Sequence, residues 1–80
     1  MNDEDLKKLI IRCYQGKTVA ILGYRDAAPR HRAAFLRDHG IDVLIGLPVD
    51  DEFWADAEAD GFTVLPVWEA AEHAQIAQSY

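Results

Sequence analysis

The residues best suited to bind a ligand follow an apolar segment that ends at Leu22. Gly23 opens a short turn, and Tyr24, Arg25 and Asp26 lead from it into a helical segment. Turns that hold the pyrophosphate of a dinucleotide have the pattern G-x-G-x-x-G, in which the glycines permit the tight turn, the close approach of the backbone and helix–strand packing. Only the first of these glycines is present, so the sequence predicts a dinucleotide scaffold with a damaged site.

Two interpretations of the arginines near this turn stay open. A helix N-terminus beside Arg25 and Arg30 can hold a lone phosphate through its dipole and its free N–H groups. Alternatively, these side chains only keep the helix soluble, as exposed arginines usually do. We take Gly23 and Arg25 as the candidate cofactor-binding residues, as vestiges of a site, and expect no bound cofactor.

We find no other side chains with the spacing of a catalytic or metal centre. His31, His39 and His73 have no cysteine or close carboxylate at ligand spacing. Cys13 falls on the apolar stripe of the first helical segment, which predicts a core position rather than a nucleophile. We therefore expect no catalytic residues, no metal and no enzymatic activity.

The charges are divided unevenly along the chain, whose formal net charge is −6. All eight Lys and Arg precede residue 40, and the residues from 40 onward hold nine Asp and Glu with no Lys or Arg. Such a surface repels nucleic acids and anionic membranes and attracts basic protein surfaces. The expected partner-binding residues are Asp50, Asp51, Glu52, Trp54, Asp56 and Glu58. These residues combine acids with an aromatic anchor, a composition common in protein interfaces. The alternative to partner binding is that the acidic face is solvated and only keeps the protein soluble.

Apolar periodicity divides the chain into alternating helices and strands. The predicted helices cover residues 3–15, 29–38, 50–60 and 67–78, and the predicted strands cover 18–22, 42–46 and 62–65. We expect one domain over residues 1–80, a small Rossmann-like three-layer α/β unit of order α-β-α-β-α-β-α with a three-stranded parallel sheet. A single cysteine, an acidic N-terminus without a signal peptide and the lack of a membrane-spanning run favour a cytoplasmic protein.

Three segments carry a resemblance to a known family: GKTVAILGY (16–24), LRDHGIDVLIGL (36–47) and FWADAEADGFTVLPVWEAAEHAQI (53–76). They look like the N-terminal nucleotide-binding domain of ketol-acid reductoisomerases, and the similarity covers roughly residues 5–76. The resemblance implies a dinucleotide-binding fold and, in the family, NADPH and magnesium.

The chain departs from the family at both parts of the cofactor site. The family's loop reads G-Y-G-S-Q-G, and only Gly23 carries over, with Arg25 close behind it. After the second strand the family typically places Arg and Ser against the 2′-phosphate of NADPH, whereas here residues 48–52 are PVDDE, which repels a phosphate. The catalytic, magnesium-binding domain is absent from the sequence, so we expect no working reductoisomerase.

The end of the chain predicts an exposed sheet edge. The resemblance implies a fourth strand beside the first, but the chain ends in AQIAQSY at that point. The first strand would then expose its edge, a feature that soluble proteins rarely leave open. The residues of that edge are Thr18, Val19, Ala20, Ile21 and Leu22. Either the tail 75–80 or a second copy covers it, and we favour a homodimer.

Three functions fit these observations. The favoured one is a non-catalytic acidic protein that blocks a basic or nucleic-acid-binding surface of a partner, as anti-CRISPR inhibitors from phages do. The alternative is a residual NAD(P)H or nucleotide-binding domain related to ketol-acid reductoisomerase. The third is a fragment with no function of its own. Measurable NADPH affinity distinguishes the second from the first.

Overall fold

The computed structural model describes residues 2–79, and its helices and strands alternate along the chain. The elements are α1 (Asp3–Tyr14), β1 (Thr18–Leu22), α2 (Ala27–Asp38), β2 (Asp42–Leu47), α3 (Trp54–Ala59), β3 (Thr63–Pro66), α4 (Val67–His73) and β4 (Ile76–Ser79). The strands form a parallel sheet in the order β3-β2-β1-β4. The predicted α/β class with a parallel sheet is confirmed, but the sheet has four strands rather than three.

Different helices cover the two faces of the sheet. Ile21 and Ile45 are fully buried in one cluster with Leu36 of α2. Gly46 faces the other way because side chains alternate along a strand, and a Cβ built there would lie 3.0 Å from the Cβ of Ala70 in α4. α4 therefore packs closely on β2 here, and a larger residue would have to displace Ala70 and the Leu22 side chain, whose Cδ2 lies 2.7 Å from the same point.

The last strand corrects the prediction for the end of the chain. α4 ends at His73 rather than continuing as a helix. The Gln75 backbone N–H donates to the Thr18 carbonyl at 2.9 Å, and the Gln75 side-chain Oε1 accepts from the Thr18 N–H at 2.7 Å. β4 then runs parallel to β1 with Ile76 opposite Val19. Pairing with β1 overrides the helical propensity of the alanine-rich segment, as tertiary contacts often do.

This pairing removes the predicted dimer edge. The strand made of Thr18, Val19, Ala20, Ile21 and Leu22 lies between β2 and β4. The prediction of a homodimer through this strand is therefore wrong, because both of its hydrogen-bonding edges are already paired within the chain. Of the two coverings considered, the chain's own tail is the one observed; Tyr80, the last residue of that tail, lies outside the described residues.

The third helix begins later than predicted. It starts at Trp54, whereas the predicted helix covers residues 50–60. The residues before it form a turn in which the Asp51 N–H donates to the Pro48 carbonyl at 3.0 Å and Asp51 Oδ1 accepts from the Phe53 N–H at 2.7 Å. Aspartate favours such turns because its side chain supplies a local acceptor that competes with the helix.

α1 packs on the domain through part of its apolar surface. Ile10, Ile11 and Tyr14 contact the core cluster, whereas Leu6 is 48% exposed. Cys13 is exposed, so its predicted core position is wrong: the packed face is rotated towards Ile11 and away from Cys13. Within residues 2–79, none of the helices has both the length and the apolar character needed to cross a membrane.

Candidate functional site

Two loops meet at the edge of the sheet where the parallel strands end. The β1–α2 loop comprises residues 23–26, and the β2–α3 loop comprises residues 48–53. Both leave the same edge, since β1 and β2 are adjacent and parallel. Arg25 Nη2 of the first loop lies 3.9 Å from Glu52 Oε1 of the second. We call this region, made of the two loops and the first turn of α2, the carboxyl edge.

The carboxyl edge includes the point at which the order of strands reverses. Strands are added from β1 to β3 in one direction, and α4 then leads back to β4 on the other side of β1. In open α/β sheets, ligands bind in the crevice outside the carboxyl ends of the strands at such a switch point. The crevice expected here lies between the ends of β1 and β4, where Leu22 is opposite Ser79.

Gly23 sets the direction in which the chain leaves β1. Its φ is +142°, a conformation that residues with a Cβ rarely adopt. The first glycine of the dinucleotide pattern is therefore present and required by the backbone. At the next glycine position of the pattern, the chain has Arg25, whose side chain is 74% exposed.

Tyr24 fixes the β1–α2 loop to the body of the domain. The residue is only 2% exposed, and its ring meets that of Phe62 edge-on with centroids 6.0 Å apart. Its hydroxyl donates to Asp60 Oδ2. Burial, followed by the hydrogen bond to the Asp60 carboxylate, raises the pKa of Tyr24 to about 12, because both disfavour the phenolate.

Arg30 joins the loop to α2 and to the region before α3. Its Nε donates to the Tyr24 carbonyl at 2.9 Å, and its guanidinium lies 4.7 Å from the Tyr24 ring centroid and 5.4 Å from that of Phe53. Nη2 also lies 3.7 Å from Asp56 Oδ2. These partners hold Arg30 in a structural position, which leaves Arg25 as the arginine of the carboxyl edge that extends into solvent.

The first turn of α2 follows the β1–α2 loop directly, at the same edge of the sheet. Asp26 is the N-cap residue, yet its side chain forms no capping hydrogen bond, and the first turn contains no acidic residue. Pro29 is buried in this turn, where a missing N–H costs no helical hydrogen bond. The N–H groups at the start of a helix that a side chain does not cap, together with the helix dipole, favour an anion.

The structure divides the predicted partner-binding acids into two groups. Glu52 and Asp56 lie near arginines of the same chain, at 3.9 and 3.7 Å from Arg25 and Arg30. The other members are Asp50 and Glu58, which are exposed, and Asp51 and Trp54, which are partly buried. That these residues contact a basic protein surface stays a prediction. Among residues 2–79, no three His, Cys, Asp or Glu side chains are grouped as metal ligands.

Sequence reasoning missed the part of the site that depends on distant contacts. Tyr24 looked like one residue of a degenerate loop, but Phe62 and Asp60 bury and anchor it. Phe53 packs against the core cluster, and its ring centroid also lies 5.8 Å from the Arg25 guanidinium. The aromatic residue directly after Gly23 was the available signal, since buried aromatics often anchor loops.

The family follows from comparison with known proteins. Residues 13–79 match the family described as acetohydroxy acid isomeroreductase, NADPH-binding domain. The chain belongs to this family. The predicted resemblance to the N-terminal domain of ketol-acid reductoisomerase is confirmed.

Two relatives give the extent of the similarity to this reductoisomerase family. The ketol-acid reductoisomerase (NADP(+)) of Methanopyrus kandleri is 48% identical over 58 residues, which are 72% of this chain and 18% of that protein. The ketol-acid reductoisomerase (NADP(+)) of Renibacterium salmoninarum is 43% identical over 74 residues, which are 92% of this chain and 20% of that protein. The chain thus spans about a fifth of the length of these relatives.

Membership of the reductoisomerase family corrects the favoured function. The chain matches a nucleotide-binding domain over nearly all of its length, so the prediction of an acidic inhibitor resembling anti-CRISPR proteins is wrong. Size and acidity suggested that function, but neither property is specific, because many solvated surfaces share them. The alternative of a nucleotide-binding domain related to ketol-acid reductoisomerase is the one that the family supports.

Proposed function

We propose that the chain binds a nicotinamide adenine dinucleotide at the carboxyl edge. The observation that carries this proposal is the backbone of Gly23, whose φ of +142° turns the chain at the end of β1 towards the N-terminus of α2. This turn is where a doubly wound sheet receives the pyrophosphate of a dinucleotide. The family's NADPH-binding domain supports the same class of ligand.

Arg25 supplies part of what the missing glycines no longer provide. A second glycine normally lets the backbone approach the pyrophosphate. Here Arg25 directly precedes Asp26, the N-cap residue of α2, and its side chain is exposed, so its positive charge adds to that of the helix dipole. The diphosphate therefore fits the residues present, through N–H groups and one arginine, although the close backbone contact is lost.

The proposed role is binding rather than catalysis. The relatives are named ketol-acid reductoisomerase (NADP(+)), and this chain matches about a fifth of their length. We propose that the chain alone holds the dinucleotide without carrying out the relatives' reaction. We also keep the cytoplasm as the proposed location, because a single cysteine is typical of chains that do not depend on disulfides.

Calorimetric titration of the chain with NADH, ADP and adenosine at low salt tests this function. We expect a Kd for NADH of about 100 μM or tighter, weaker binding of ADP, and little binding of adenosine because it lacks the diphosphate. Arg25→Gln should weaken NADH and ADP several-fold. Arg12→Gln, the same change at an exposed position in α1, should leave both affinities unchanged.

Two results would contradict the proposal. NADH producing no heat at millimolar concentration would exclude a functional dinucleotide site. Equal weakening by Arg25→Gln and Arg12→Gln would show that binding depends on net charge rather than on the carboxyl edge. The ion pair that Arg25→Gln removes is exposed on both sides, so its loss should not change folding.

A further inference from the structure

The β2–α3 loop is in the position that distinguishes the two nicotinamide dinucleotides. In doubly wound folds the segment after the second strand meets the adenosine ribose, where an acid accepts a hydrogen bond from the 2′-hydroxyl of NAD and an arginine accommodates the 2′-phosphate of NADP. The contact of Arg25 with Glu52 at 3.9 Å places this segment beside the pyrophosphate turn. Its residues therefore face any adenosine bound at the carboxyl edge.

The charges of the two loops oppose a 2′-phosphate. Residues 23–26 and 48–53 contain one arginine, and their four carboxylates are those of Asp26, Asp50, Asp51 and Glu52. The sequence has no Lys or Arg from residue 40 onward, so the β2–α3 loop itself supplies no cation. Arg25 is the arginine that the proposed function assigns to the diphosphate, and the contacts of Arg30 with Tyr24, Phe53 and Asp56 hold it in the fold.

The same carboxylates suit a ribose with free hydroxyl groups. A carboxylate is an acceptor only, and a 2′-hydroxyl has a proton to donate, whereas a phosphate ester at this position is an acceptor with added negative charge. Asp51 already uses Oδ1 for the Phe53 N–H, which shapes the turn. Asp50 and Glu52, the neighbours of Asp51 in the sequence, are exposed. Both belong to the β2–α3 loop, which would face the adenosine.

We infer that this chain prefers NADH to NADPH, in contrast to the cofactor in its family's description. The inference rests on the proposed function and specifies its ligand: an adenine dinucleotide whose ribose has a free 2′-hydroxyl, with Asp50 and Glu52 as the residues that discriminate. The structure fits a 2′-phosphate poorly. The carboxylates of the two loops repel a phosphate dianion, and Arg25, which the proposed function assigns to the diphosphate, is the one arginine in residues 23–26 and 48–53.

Parallel titrations of the same chain with NADH and NADPH test the inference, with nicotinamide fluorescence or heat as the readout. We expect NADH to bind at least about tenfold more tightly at low salt, and the ratio to shrink as added salt screens the carboxylates. Asp50→Asn and Glu52→Gln should each tighten NADPH, and the double variant should reduce the preference most. Glu72→Gln, an exposed acid of α4 far along the chain, is the matched control and should change neither affinity.

The outcomes separate this inference from the function on which it rests. Equal affinities, or tighter binding of NADPH, would overturn the preference for NADH and leave dinucleotide binding in place. An NADH preference that persists unchanged in the double variant would overturn the role of Asp50 and Glu52. Failure of both dinucleotides to bind at millimolar concentration would overturn the proposed function itself, and the inference with it.

Discussion

The two loops of the carboxyl edge are held in contrasting ways. In the β1–α2 loop, Tyr24 is 2% exposed and contacts Phe62, Asp60 and Arg30. In the β2–α3 loop, Val49 is 74% exposed, and the hydrogen bonds that shape the turn are those of Asp51. The packing of Tyr24 holds the β1–α2 loop although the later glycines of the pattern are missing, whereas an exposed loop can change its charges at little cost in stability.

Truncation of Tyr24 should cause the largest loss in the free energy of unfolding. Tyr24→Ala removes a buried aromatic ring, and we expect a loss of about 3–5 kcal/mol in the free energy of unfolding. That is a large part of the stability of a domain of this size. Val49→Ala, a truncation in the exposed loop, should change the stability by less than about 0.5 kcal/mol. Chemical denaturation of both variants measures the difference, and equal losses would contradict the contrast between the loops.

A side chain introduced at Gly23 should cause the next largest loss of stability and should also weaken NADH binding. Gly23→Val places a β-branched residue at a φ of +142°, which we expect to cost about 1–3 kcal/mol and to weaken NADH at least about tenfold by displacing the turn. Asp50→Val introduces the same residue in the other loop and should leave the stability nearly unchanged. Denaturation should be measured on both variants, and NADH binding on Gly23→Val and the wild-type chain. Unchanged NADH affinity in Gly23→Val would show that the turn does not position the ligand.

Removal of the Tyr24 hydroxyl should lower the free energy of unfolding by a smaller amount, and this amount should depend on pH. The pKa of Tyr24 in the folded protein is about 12 and that of an unfolded tyrosine about 10, so above about pH 10 the unfolded chain releases a proton that the folded one retains. The stability from this group is complete below about pH 10 and is lost as the pH rises through about 12. Tyr24→Phe should cost about 1 kcal/mol at neutral pH.

Chemical denaturation of the wild-type chain and of Tyr24→Phe at several alkaline pH values tests this prediction. The gap in unfolding free energy between the wild-type chain and Tyr24→Phe should narrow above about pH 10, because the two proteins differ only in the Tyr24 hydroxyl. A gap that stays constant would mean that the hydroxyl of Tyr24 is not protected by burial and Asp60.

The sequence predicted those parts of the fold that depend on neighbouring residues. The β1 prediction of 18–22 agrees with Thr18–Leu22, because an apolar run after a glycine is a local signal. The predicted start of α3 was too early, because a turn formed by Asp51 competes with the helix. The sequence did not predict β4, because this strand depends on pairing with β1. That Gly23 and Arg25 bind a cofactor stays a prediction, and the burial of Tyr24 was not predicted, since Phe62 and Asp60 are distant in the chain.

The sequence by itself determined the α/β class, the alternation of elements, the concentration of acids after residue 40 and the resemblance to a reductoisomerase domain. These properties are encoded in periodicity, composition and short identities, which need no knowledge of contacts. The tertiary structure decided which strand covers β1, which arginine is held in the fold and which extends into solvent, and that Glu52 lies beside Arg25 of the β1–α2 loop. Each of these outcomes depends on residues brought together across the sheet, and such contacts exist only once the chain has folded.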